Sequence, residues 1–104
     1  MSSNIITKTP IIPDEEGRFK FNTHVKAEIL KVDIFDNTPY VWVKSPYPIP
    51  LEGDANNKEV VLSVFQDDIE HNLGDDHYWV TYVGTVFVSN HGIETALHIF
   101  KHGR

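Results

Sequence analysis

Apolar and polar residues alternate with a period of two over most of this chain, and no window of 11 residues carries a helical apolar stripe at i, i+3, i+4, i+7. The stretch RFKFNTHV sets Phe19 and Phe21 against Arg18, Lys20 and Asn22, the pattern of a half-buried strand. KAEILKVDIF places Leu30, Val32 and Ile34 on one face and Lys31 and Asp33 on the other. Asp36, Asn37, Thr38 and Pro39 form a turn, because Asp and Asn bond their own backbone and Pro cannot donate to a ladder. YVWVK follows, so 27–44 reads as a hairpin.

SPYPIPLEGDANN, with Pro46, Pro48 and Pro50 alternating, predicts an extended loop of roughly a dozen residues and not a central strand. KEVVLSVF returns to strand. DDIEHNLGDD, 67–76, carries five acids in ten residues, and Asp67 or Asp68 suits the cap of one short helical turn. YWVTYVGTVFV is apolar or aromatic on both faces, which predicts the longest and most central strand. Gly84 within it marks a bulge or a close backbone approach. Asn90, His91 and Gly92 suit a three-residue hairpin loop before the closing strand ETALHIFK. The sum is a single all-β domain over 1–104, in which 1–5 can be a disordered leader. It is expected to be a small antiparallel sandwich or open barrel of six to seven strands, with at most one short helical turn.

Composition narrows the chemistry. With no cysteine, disulfides, thiol catalysis and Cys-ligated metals are excluded. The N-terminal MSSNIITKTP is polar and broken by Pro10, and no apolar run approaches the ~18 residues of a spanning helix, so no membrane role and a cytoplasmic setting are expected. Fifteen acids against nine Lys and Arg, a formal charge of −6, argue against nucleic-acid binding, since that needs a clustered basic footprint.

With KAEILKVDI, PYVWVKSP, EVVLSVF, YVGTVFV and ALHIF in that order, the chain resembles a family of short phage and bacterial β domains. The matching positions are Pro39 and Trp42, then Tyr82, Val83, Gly84 and Thr85, then His98 and Phe100. Leu97 stands where members often carry Trp, and Gln66, Asp67 and Asp68 stand where members are glycine-rich. The resemblance implies a β fold and a phage-like origin, and no reaction.

Candidate chemistry is sparse. His98 and His102 are four apart, which on a strand spans about 13 Å, far too wide for two zinc ligands at about 2.1 Å each. His71, His77 and His91 lack a helical H-E-x-x-H frame. No metal and no cofactor are expected. No G-x-S-x-G elbow, EF-hand spacing or phosphate loop is present, so no catalytic residue is assigned. The acidic segment reads first as a solvated loop.

Twelve aromatic rings in 104 residues are more than one small core hides. Trp42 and Phe87 are expected in the core. Tyr47, in the proline loop, and Tyr78 and Trp79, beside the acidic loop, are binding candidates, because a ring buries much area at little entropic cost. The leading expectation is a non-enzymatic phage or prophage accessory protein of the host cytoplasm, countering a host defence. One version presents Asp67, Asp68, Glu70, Asp75 and Asp76 to a basic patch of a host protein. The other sequesters a small nucleotide-type signalling ligand in a homo-oligomer through Thr85, His98 and Arg104. The alternative is a structural or assembly protein of the virion.

Overall fold

The computed structural model describes residues 3–67, 69–70 and 80–103. Among the described residues, seven strands make two antiparallel sheets packed face to face, and there is no helix, including none long and apolar enough to cross a membrane. The strands are β1 (Ser3–Pro10), β2 (Arg18–His24), β3 (Glu28–Phe35), β4 (Thr38–Tyr47), β5 (Asn57–Gln66), β6 (Val80–Asn90) and β7 (Ile93–His102). One sheet has the order β1-β4-β3 and the other β2-β5-β7-β6. The expected all-β sandwich is thus the architecture, and its two sheets do not close into a barrel.

The inner faces supply the core. Val41 and Val43 of β4 meet Val60, Leu62 and Val64 of β5, Val86 of β6 and Leu97 and Ile99 of β7, while Ile11 closes one end. Each such aliphatic side chain contributes roughly 1.5–3 kcal/mol by leaving water. Trp42 and Phe87, expected among them, lie elsewhere. Phe87 is 54% exposed, and half-buried Trp42 lies on the outer face of its sheet under the Lys8 and Lys31 ammonium groups, at 5.6 and 5.5 Å from its ring centre. The core is aliphatic because Val and Leu fill most of the inner positions of β4 and β5.

Several local expectations are corrected. The turn of the β3–β4 hairpin is only Asp36 and Asn37, both with positive φ, and that of β6–β7 is only His91 and Gly92, again both positive. Two successive left-handed residues match the twist of a two-residue hairpin. Strand β4 also runs through Pro39, Ser45, Pro46 and Tyr47, which were expected to be turn and loop. Its pairing with β3 stops at Lys44, so Pro46 has a neighbour only in β1, where its missing N–H breaks no ladder on the open side. Strand β1, within the polar leader, was not among the expected strands.

Strand β6 is the longest, at 11 residues, but lies at a sheet edge and not at the centre. Its apolar character has another cause: it packs against β3 of the opposite sheet. A Cβ on Gly84 would lie 2.7 Å from Val32 Cγ2, so the absence of a side chain at this glycine lets β6 lie close against β3. Asn37 ties the same two elements, donating from Nδ2 to the Ser89 carbonyl at 2.6 Å and accepting the Ser89 N–H at 2.7 Å.

Each of these facing strands carries a bulge. In β3 the register shifts between Ile29 and Lys31, and in β6 between Tyr82 and Gly84. An extra residue reverses the in–out parity of everything beyond it. Hence Ile29, Val32 and Ile34 pack on the core, whereas Leu30, expected to share their face, is 47% exposed.

Candidate functional site

The outer face of the four-stranded sheet gathers the polar chemistry. On β7, Leu97 and Ile99 are inward, so His98, Phe100 and His102 are outward. In register beside them stand Phe65 and Ser63 of β5 on one side and Thr85 and Tyr82 of β6 on the other. Phe65 and Tyr82 flank Phe100 at ring-centre distances of 5.1 and 5.6 Å.

Tyr82 and Thr85 are three residues apart and on a regular strand would point to opposite faces. The bulge between them adds one residue and brings both outward. The Tyr82 and Thr85 hydroxyls are 2.6 Å apart, Thr85 Oγ1 is 3.0 Å from His98 Nδ1, and His98 Nε2 is 2.6 Å from Asp67 Oδ1. With a neutral imidazole, the direction of the chain follows from the carboxylate, which only accepts. Nε2–H donates to Asp67, the Thr85 hydroxyl donates to Nδ1, and Tyr82 donates to Thr85. Both nitrogens of a half-buried imidazole are thereby committed. A second hydroxyl–imidazole pair, Ser63 with His102, lies on the far side of Phe100, with Ser63 fully buried.

Of the residues singled out from sequence, Thr85, His98 and Asp67 come together here. Glu70 lies apart from them, with Gln66 and Ile69 along a surface cleft whose other wall is the β1–β2 loop around Asp14. Tyr47 is 60% exposed at the end of β4, on the other sheet. Asp68, Asp75, Asp76, Tyr78, Trp79 and Arg104 lie outside the described residues. Sequence reasoning did not assign Tyr82, Phe65, Phe100, Ser63 or His102 to a site. Their alternation within each strand was visible, and Gly84 marked a bulge or close approach in β6, but the pairing of β5 with β7 was not visible.

The arrangement can hold a planar ligand edge against Phe100, Phe65 and Tyr82 and offer oriented polar atoms beside it. Its carboxylate–imidazole–hydroxyl connectivity is also that of an acid–base relay. Among the described residues no group of three His, Asp or Glu side chains is placed to hold a metal ion. No protein-family model, no curated protein and no solved structure matches the chain. The site is therefore read on its own geometry.

Proposed function

We propose that this chain is a non-enzymatic binding protein of phage or prophage origin that acts in the host cytoplasm and counters a host defence by sequestering a small nucleotide-type signal. The observation that carries the reading is the Asp67–His98–Thr85–Tyr82 hydrogen-bond chain set among Phe65, Phe100 and Tyr82 on an outward sheet face. Aromatic rings stack on a base regardless of its identity, and fixed polar groups at their margin select its edge. This arrangement supports the ligand-sequestering version over the one in which acidic residues meet a basic host protein, because Thr85 and His98 are brought together.

Thermal shift against a panel of linear and cyclic mono- and dinucleotides tests it. One class should raise the melting temperature in proportion to the logarithm of its concentration. His98→Ala should weaken that binding by about tenfold, the worth of one good polar contact. A panel that leaves the wild-type midpoint unmoved, or a His98→Ala variant that binds as wild type does, would sink the proposal.

A second reading rests on the relay connectivity, in which His98 Nδ1 takes the Thr85 proton. It requires turnover of an activated ester or phosphoester that Thr85→Val abolishes. Binding without turnover decides for the first reading.

A further inference from the structure

Both bulges adjoin the same cavity. It opens between the two sheets at one end of the sandwich, has a volume of about 340 Å³, and is lined by the bulged residues Leu30 and Val83, one from each sheet. That volume falls within the range of small-molecule sites, and bulges are enriched beside them.

The inner face of the four-stranded sheet changes character on reaching this cavity. Along β2 it runs Phe19, Phe21 and then Thr23; along β5, Leu62, Val60 and then Lys58; along β7, Leu97, Ile99 and then Lys101. Three neighbouring strands thus end their apolar rows in a hydroxyl and two ammonium groups, on the face that alternation reserves for the core. The opposite wall is mostly apolar, with Ile29, Val43 and Ala27, and carries Glu28.

These polar groups are under-used. Thr23 is 3% exposed, lines the cavity, and its hydroxyl has no hydrogen-bond partner among the described residues. Burying a hydroxyl without a partner is unfavourable, and native proteins rarely do it without a reason. Lys58 reaches one backbone acceptor, the Ala27 carbonyl at 3.2 Å, and its ammonium is pushed below the ordinary lysine range by burial and then by the charge of Lys101. Neither lysine has an ion-pair partner among the described residues, although exposed Glu28 also borders the cavity.

We infer that this cavity is a second binding site, for a small apolar molecule carrying one anionic group, such as a medium-chain carboxylate. The apolar body lies against Ile29, Val43 and Val60. The anionic head sits between Lys58 and Lys101, where it offsets their mutual repulsion and accepts from the Thr23 hydroxyl. Tyr82 borders both this cavity and the outward His98 face, but the inference rests on Thr23, Lys58 and Lys101 and not on the assignment of that face.

Displacement of 1-anilinonaphthalene-8-sulfonate from the folded protein, at fixed ionic strength, tests the inference with decanoate, decanol and inorganic phosphate as competitors. Decanoate should displace the dye at concentrations about tenfold lower than decanol or phosphate, as a charged hydrogen bond implies. In Lys58→Gln/Lys101→Gln that preference should vanish. Should this double variant fail to fold, Thr23→Val supplies the readout, weakening decanoate while leaving decanol unchanged. Nucleotide binding by the double variant should match wild type, and His98→Ala should bind decanoate normally, so the two sites fail or stand separately. Equal displacement by decanoate and decanol, displacement by phosphate as strong as by decanoate, or no dye binding at all would overturn it.

Discussion

Single residues in this protein sit at odds with the faces they occupy. Ser45 is 1% exposed on the inner face of β4, beside Val43, and its hydroxyl has no hydrogen-bond partner among the described residues. Unlike Thr23 it does not line the cavity between the sheets. A hydroxyl desolvated without compensation costs more than the hydrogen that replaces it in alanine. Ser45→Ala should therefore raise stability, by about 1 kcal/mol in urea unfolding. A loss of stability instead would mean that the hydroxyl makes a bond within the fold. His98 shows the opposite case. Its candidacy as a lone polar group was legible in the hydrophobic-His-hydrophobic-Phe pattern, but both of its partners come from other strands or segments, 13 and 31 residues away.

At the scale of elements, the hairpins were legible, and so was the irregularity at Gly84 of β6, but the bulge in β3 was not. Asp36-Asn37 and His91-Gly92 are residue pairs that accept left-handed backbone, so the β3–β4 and β6–β7 connections follow from local chemistry. The β3 bulge leaves no comparable mark, because its extra residue is an ordinary Leu30, and in β6 Gly84 marked the place of the irregularity but not the extra residue, Val83. Yet the bulge in β6 decides that Tyr82 and Thr85 share a face, and Gly84 beside it lets β6 approach Val32 of β3. Gly84→Ala should cost about 1–3 kcal/mol, since the new methyl group would overlap a stiff, β-branched neighbour. In a Val32→Ala background the cost should fall by at least about half, the mark of direct coupling in a double-mutant cycle. Additive losses would place the strain elsewhere, in the β6 backbone itself.

For the whole molecule, the β1–β2 loop shows how a surface turn is joined to the core and to pH. The Asp14 carboxylate accepts the Arg18 and Glu16 N–H groups at 3.0 and 2.9 Å, and the loop's Gly17 carbonyl accepts the Val64 N–H at 2.8 Å. The bond from the Arg18 backbone, foremost, holds the Asp14 carboxyl below its ordinary value of 3.8; for Asp33 it is the Ile34 backbone and then Lys31. Because both are depressed in the folded state, the unfolded chain binds more protons just below that value. Their stabilisation is complete above it and is lost as pH falls through the folded values. Thermal unfolding from pH 5 to pH 2 should thus show a shallower acid-side fall in Asp14→Asn/Asp33→Asn than in wild type. Identical slopes would exclude these two groups as contributors. Sequence by itself determined the all-β class, the strand segments from Arg18 onward and the two hairpin connections, though not the two-residue length of their turns, because period-two alternation and turn chemistry are local properties of the chain. Only the tertiary structure decided that β1 joins β4, that β6 lies at an edge against β3, and that His98, Thr85 and Asp67 meet. Those outcomes depend on pairings between distant strands and on bulges that reverse parity, and both are settled by the total burial of the sandwich and not by any one segment.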